Sequence, residues 1–223
     1  MAVIEAIALG IERDLEHLKA ISQNVANVNT PGYQAVQSFD VALNGHNTIA
    51  QQKIAPKYGA IKDSDRGLDW AIASKGYFVI EKNDQLFVSR YGRFHVSQDG
   101  WLTHVSGGKL VGESGAINVG HGHVTVAENG QIFVDGQQLE QLKIVDVGQV
   151  LTGHSGGLYA FSGSVSEVHD KQIKGNAINV SNVDSGEQMT NMININRHVQ
   201  SLQKAASAYD QMMNAGINEL GRR

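Results

Sequence analysis

The stretch MININRHVQSLQKAASAYDQMMNAGINEL, residues 192–220, decides the fold. In it Met192, Ile195, Val199, Leu202, Ala206, Tyr209, Met213, Gly216 and Leu220 recur in alternating steps of three and four. That spacing draws one narrow apolar stripe, close to a strict heptad seam, along a helix. Asp184 or Ser185 can cap the helix, and Glu187 gives it an acidic first turn that the helix dipole favours. The expected helix runs from near Ser185 to about Leu220, roughly 50 Å at 1.5 Å per residue. A helix this long with so thin a stripe is a coiled-coil or bundle element. Gly216 weakens its last part.

The other end of the chain mirrors this pattern. From Ile4, the residues Ile7, Ile11, Leu15, Leu18, Ile21, Val25 and Val28 recur in steps of three or four. The expected first helix covers about Ala2 to Asn27 and stops at Asn29-Thr30-Pro31-Gly32. Pro31 disfavours helical geometry at Thr30, and Gly32 can take the positive φ of the turn. In Asn24-x-x-Asn27-x-x-Thr30-Pro31-Gly32 the polar side chains can bond nearby backbone, while proline and glycine fix the exit direction. Each stripe needs a cover, from the other terminus or from a neighbouring subunit. Each covered Leu or Ile contributes about 1.5–3 kcal/mol.

Between the helices the chain is rich in glycine and turns. Residues 67–175 hold 18 of the 25 glycines, which punctuate short apolar runs. Strands are expected at Trp70–Ala73, Tyr77–Glu81, Leu86–Ser89, Arg93–Val96, Trp101–His104, Val124–Ala127, Gln131–Val134 and Gln141–Val147. Asn83-Asp84, Asp99-Gly100, Asn129-Gly130 and Asp135-Gly136 are turn signals, and the runs around Asp99-Gly100 and Asn129-Gly130 read as hairpins. No helix of 10 to 15 residues intervenes, so the middle is all-β and not built from βαβ units. The expected organisation has four parts. Residues 1–32 form the N-terminal helix and turn, 33–66 an extended connector, 67–175 the β-rich domain, and 176–223 the C-terminal helix. The fold class is thus a coiled-coil-like pair of terminal α-helices with an all-β, Gly-rich middle.

Composition narrows the function classes. The formal charge of −4 and the lack of a Lys/Arg cluster give no case for nucleic acid. There is no cysteine, so disulfides and thiolate metal sites are excluded. No run approaches the roughly 18 apolar residues of a membrane span. Glu5, Glu12, Arg13, Asp14 and Glu16 interrupt the first helix, which therefore does not read as a cleavable secretory signal.

Two motifs suggest chemistry and neither carries it. Gly153-His154-Ser155-Gly156-Gly157 fits the G-x-S-x-G nucleophile elbow, but that elbow needs a following helix and an ordered acid and histidine. Here glycines and a short apolar run follow, and Asp170, Asp184 and His198 are the partners on offer. His121-Gly122-His123 can place two imidazoles on one side of a strand without a third ligand at usable spacing. Catalytic, cofactor and metal residues are accordingly expected to be none.

The stretch Ser22-Gln23-Asn24-Val25-Ala26-Asn27-Val28-Asn29-Thr30-Pro31-Gly32-Tyr33 closely resembles the rod signature of the bacterial flagellar axial proteins, the rod and hook family. Gly76-Tyr77-Phe78-Val79-Ile80, Ser89-Arg90-Tyr91-Gly92-Arg93-Phe94 and Asp99-Gly100-Trp101-Leu102 resemble that family's shared β-domain segments. Ser181-Asn182-Val183-Asp184 with Glu187-Gln188-Met189-Thr190-Asn191-Met192-Ile193 resembles the opening of its C-terminal signature, and Arg197 falls where the family has an arginine. The blocks come in the family's order and span most of the chain.

The resemblance implies paired terminal helices in the inner layer of a helical tube and a β domain outside it. It also implies self-assembly with other rod proteins in the periplasmic basal body, and export by the flagellar type III apparatus without a cleaved signal. Within the family the chain is most similar to the proximal rod subunits. A distal rod or hook-like subunit is the alternative in the same class, and a soluble coiled-coil binding module or a hydrolase using Ser155 the alternatives in others. Leu18, Val25, Val199, Leu202 and Tyr209 are the expected packing positions, with Asn24, Asn27, Thr30, Pro31 and Gly32 setting the helix exit. Termini built for such a tube are expected to be largely disordered in the isolated chain.

Overall fold

The computed structural model describes residues 2–43, 47–55, 57–151 and 157–220. It divides into two compact units. One comprises the described parts of Met1–Ala26, Val36–Gln52 and Asp184–Arg223; the other comprises Asn27–Ala35 and Lys53–Val183.

The first unit is built on helices α1 (Ala2–Ala26) and α2 (Ser185–Leu220), with strand β1 (Val36–Leu43) against α1. β1 forms a two-stranded sheet with β2 (Asn47–Ile54). Asp184 caps α2: its Oδ1 accepts from the Gly186 and Glu187 backbone N–H groups at 2.9 and 3.1 Å. The helix therefore starts and stops where the heptad spacing and the cap predict. α1 ends one residue earlier than the sequence reading, at Ala26. The segment 33–66, read as an extended connector, contains β1, β2 and the short strand β3 (Ile61–Asp63).

The second unit is all-β. Its strands after β3 are β4 (Trp70–Ile72), β5 (Tyr77–Lys82), β6 (Gln85–Ser89), β7 (Phe94–Val96), β8 (Leu102–His104) and β9 (Lys109–Leu110). They continue as β10 (Val124–Val126), β11 (Gln131–Val134), β12 (Gln137–Gln141), β13 (Ile144–Val150), β14 (Phe161–Glu167), β15 (Ile173–Gly175) and β16 (Ala177–Asn179). The largest sheet runs β14-β13-β5-β9-β8-β7, with β6 on the free edge of β5. A second sheet is β10-β11-β12. The pairs β15–β4 and β16–β3 bring the end of the unit back to its beginning.

The hairpins follow from turn chemistry. Asn83 and Asp84 both take positive φ (52° and 58°) between β5 and β6, and Asp135 and Gly136 do the same (50° and 82°) between β11 and β12. Two left-handed residues in succession match the twist of the strands they join, which is why these dipeptides sit there. The pairs around Asp99-Gly100 and Asn129-Gly130 are hairpins, β7–β8 and β10–β11. The single strand expected over Gln141–Val147 is two. β12 ends at Gln141 in one sheet and β13 begins at Ile144 in another, while Leu142 between them is fully buried. Leu142 and Ile144 both point inward, so alternation runs on through a change of sheet and conceals it.

One continuous core joins both sheets through Trp70, Ile72, Phe78, Phe94, Ile132 and Leu142, all fully buried. Phe94 lies 5.3 Å from both Trp70 and Phe78, edge-on to the latter. Tyr77, Val79 and Val88 fill a second cluster, so β5 is buried on both faces and reads as an unbroken apolar run.

The segment 89–94 holds this core together. The buried Arg90 guanidinium donates to the carbonyls of Gly76 (2.6 Å), Ile72 (2.7 Å) and Ser74 (3.1 Å), and stacks 3.7 Å from the Tyr58 ring. It thereby fixes the loop between β4 and β5 from inside. Gly92 lies so close to β4 that a Cβ there would sit 1.7 Å from the Trp70 carbonyl oxygen. Arg93 grips the buried Asp69 carboxylate in a two-pronged contact at 3.1 and 3.0 Å.

Nearby, His104 is fully buried. One ring nitrogen, Nε2, donates to the Tyr91 carbonyl (2.8 Å), so Nδ1 is the acceptor for the Ser106 hydroxyl (2.6 Å) and the ring is neutral. Burial lowers its pKa to about 4 from 6.5. The unfolded chain then takes up a proton near pH 6.5 that the folded one refuses until about pH 4. Stability is full above pH 6.5 and falls as pH drops through that window, by about 3 kcal/mol at its foot. Urea midpoints read by tryptophan fluorescence between pH 7.5 and 4 are expected to fall accordingly, with a shallower fall in His104→Gln.

Candidate assembly site at the paired termini

α1 and α2 pack against each other in antiparallel register. A methyl placed on Gly10 would touch Leu202 Cδ1 at 3.1 Å, so the side chain of Leu202 sits in the notch that this glycine leaves. The Asp14 carboxylate accepts a hydrogen bond from His198 Nδ1, and Asn24 Nδ2 donates to Gln188 Oε1 at 3.1 Å. Ten residues forward from Asp14 to Asn24 match ten residues back from His198 to Gln188, so the register holds along the pair. Ile21 is buried, and Ile7, Ile11, Leu18, Val25, Val199, Leu202 and Tyr209 are half-buried along the seam.

The seam on α1 differs from the expected stripe at two positions. Leu15 stays 53 % exposed and Ile4 46 %, while Asp14 is buried in the line instead. Steps from Ile7 through Ile11, Asp14, Leu18 and Ile21 to Val25 alternate four and three, which is the heptad that meets a partner helix. A carboxylate interrupts the apolar pattern there, so hydrophobicity alone leads to Leu15. An aspartate at a heptad position, with a histidine on the partner helix, is the signal that would have located the contact. Arg13 stands 3.8 Å from the same carboxylate.

The helix exit is fastened by asparagine amides. The Val36 N–H donates to Asn24 Oδ1 (2.8 Å), and Asn24 Nδ2 donates to the Val36 carbonyl (2.9 Å). The side chain thus replaces the neighbouring strand that Val36 lacks there. Asn27 and Thr30 close the turn: Thr30 N–H donates to the Asn27 carbonyl (3.0 Å), and the Thr30 hydroxyl to Asn27 Oδ1 (3.1 Å). Pro31 follows, half-buried, and Gly32 takes φ of 70°. A Cβ at Gly32 would lie 2.3 Å from the Tyr91 nitrogen, so both the backbone angle and the space require glycine.

Asn179 and Asn182, to which the sequence reading gives no role, act in the same way as Asn24. The carbonyl of Asn179 accepts from Gly32 N–H (2.7 Å), while its amide takes the Ile72 N–H (2.9 Å) and donates to the Ile72 carbonyl (3.0 Å). The amide of Asn182 accepts from Ala35 N–H (2.6 Å) and donates to the Lys57 carbonyl.

Of the two chemical motifs, residues 153–156 of Gly153–Gly157 lie outside the described residues. Among the described residues no three His, Asp or Glu side chains stand where they could hold a metal, and no helix is long and apolar enough to cross a membrane.

The same two ends are the parts recognised by comparison. The family described as "Flagellar basal body rod FlgEFG protein C-terminal" matches residues 174–220, and "Flagella basal body rod protein" matches residues 14–34. At family level the chain matches the flagellar basal-body rod and hook proteins. It is a structural, polymerising axial subunit of the basal body, as are the family's other members. Over 96 % of both chains it is 24 % identical to the flagellar basal-body rod protein FlgF of Rhizobium meliloti. It is also 24 % identical to FlgG of Agrobacterium fabrum, over 95 % of this chain and 97 % of that one. The flagellar hook protein FlgE of Escherichia coli is 29 % identical over half of this chain but only 29 % of its own length.

Replacing Asn179 with Ala strips the buried Ile72 N–H of its partner, at about 1–3 kcal/mol, while the Ile72 carbonyl keeps its hydrogen bond from Arg90. Urea unfolding followed by tryptophan fluorescence is expected to register a loss of about 1–3 kcal/mol. Asn179→Asp is expected to cost at least as much, because a carboxylate then faces the Ile72 carbonyl.

Proposed function

We propose that this chain is a proximal rod subunit, one of many copies that stack helically into the lower part of the torque-transmitting shaft. The observation that carries the reading is the incomplete cover of the helix pair. Each helix buries one seam, while Val3, Ile4, Leu9, Leu15, Met189, Ile193, Met212, Met213 and Ile217 remain exposed on the same two helices. Apolar surface of that extent on a soluble pair of helices is surface for neighbours. Contacts between unlike patches extend without closing, which is how one chain builds a tube.

Rod membership over hook membership is supported by length, since the rod relatives are matched end to end and the hook protein over less than a third. The helical unit is the inner layer and the β unit the outer one. Partners are further copies and other rod proteins, and export proceeds through the flagellar type III apparatus without a cleaved signal.

Leu18, Val25, Val199, Leu202 and Tyr209 serve as the inner packing positions, with the exit turn at Asn24–Gly32 setting the direction of the chain. Density for paired helices 2–26 and 185–220 lining the proximal rod of purified basal bodies is the expected result by cryo-electron microscopy. Placement in the distal rod or hook would move the chain to that neighbouring role, and a free closed dimer would make it a coiled-coil binding module. Leu202→Asp puts a charge against Gly10 and is expected to abolish incorporation while urea unfolding of the β unit is unchanged. A rod of ordinary length built from that variant would refute the packing role.

A further inference from the structure

α1 has two faces that compete for the same partner. On a helical wheel Ile4, Ile7, Ile11, Leu15 and Leu18 form an apolar row whose centre lies roughly 60° from Asp14. Hydrophobicity alone would turn the middle of that row onto α2. The structure instead turns α1 so that Gly10, Asp14 and Asn24 meet α2, through Leu202, His198 and Gln188. Asp14 is 5 % exposed as a result, while Ile4 and Leu15, on the far side of the row, are 46 % and 53 % exposed.

That arrangement runs against burial energy. Leu15 inside and Asp14 outside would take more apolar surface from water and avoid the desolvation of a carboxylate. Two polar contacts hold the helix in the less apolar roll. Asn24 fixes one end through Val36 and Gln188. Nearly three turns back, the Asp14 carboxylate accepts a hydrogen bond across the seam from His198 Nδ1. Arg13 stands 3.8 Å from the same carboxylate, but it rides on α1 and turns with it, so it favours neither roll. Glu16 and His17 also ride on α1, and Arg197 beside His198 stays exposed.

We propose that Asp14 and His198 are positioning residues that set the roll of α1 on α2. The pair gives up apolar burial for a fixed facing, which is the best-attested use of a buried polar contact in a helix seam. A carboxylate this buried tolerates only a roll in which the histidine reaches it, whereas apolar side chains tolerate several. Ile4 and Leu15 are thereby kept on the outer side of the pair. Both contacts lie within one chain, so the roll is independent of the chain's place in a basal body.

The chain has no cysteine, so Leu9→Cys, Leu15→Cys and Ile21→Cys each give the full chain a single thiol. Leu9 lies on the side of α1 away from both faces and is 45 % exposed, whereas Ile21 is 8 % exposed. Maleimide labelling of the purified chain is expected to be fast at positions 9 and 15 and about tenfold slower or more at 21. In Asp14→Leu with His198→Leu, labelling at 15 is expected to slow severalfold against that at 9, as the row rolls inward. Helix content by circular dichroism is expected to hold or rise in that variant, which separates positioning from simple support. Exchanging the pair, Asp14→His with His198→Asp, is expected to restore fast labelling at 15.

Unchanged labelling at 15 in the apolar variant would overturn the proposal, as would no recovery in the exchanged pair. Loss of helix content in the apolar variant would reduce the pair to a support. Equal rates at all three positions in the otherwise unaltered chain would equally count against it.

Discussion

The pairing of the strands by which the chain enters and leaves the β unit is the constraint on which the remainder depends. β3 pairs with β16 and β4 with β15, antiparallel, so residues 61–72 lie beside residues 173–179. Just outside them the Gly32–Asn179 and Ala35–Asn182 hydrogen bonds join the same two stretches again. Entry and exit are therefore one place. α1 ends nine residues before Ala35 and α2 begins three after Asn182, so little further closure entropy opposes their meeting. A single domain boundary drawn along the sequence misses this arrangement, because the two ends of the chain belong to one unit and the middle to another.

Polar groups do much of the fastening, and their value lies in what their loss would expose. Asn24 and Asn179 each offer one donor and one acceptor to a single buried residue's backbone, replacing a strand that is not there. An apolar residue of similar size would leave both Val36 groups unsatisfied in the first case and the Ile72 N–H in the second, where Arg90 still holds the carbonyl. Arg90 goes further. It is a buried cation held by three carbonyl oxygens and an aromatic face, and burial lowers its pKa. The Gly76 and Ser74 carbonyls of the β4–β5 loop, and the Ile72 carbonyl that Asn179 shares, are met by the one side chain with enough planar donors to reach all three.

Legibility in the sequence followed the length of each repeating signal. α2 repeats its period for 36 residues and announces its start with Asp184, and its limits could be read directly. Hairpins were legible wherever two successive residues needed positive φ, as at Asn83-Asp84. The closing strands β15 and β16 were not, because three residues with one or two inward side chains make no pattern. β1 and β2, which pair with each other, were hidden in a mixed polar segment without a clear alternation. Among site residues, the exit turn was legible as a helix stop, but not its partners. Asn179, Asn182 and Asp14 act on residues far away in sequence, and nothing local marks an asparagine that will stand in for a strand.

The two units differ in how far they satisfy themselves. The β unit buries Trp70, Phe78 and Phe94 completely and closes its own ladders at the chain's entry. Its stability belongs to the single chain. The helical unit covers one seam per helix, leaves large apolar side chains in water along both, and continues one seam past its partner's end. An element of that kind gains stability by mass action, as concentration or an existing filament supplies the missing surface. A subunit divided in this way can keep its β unit folded while its helices gain cover only at the growing end.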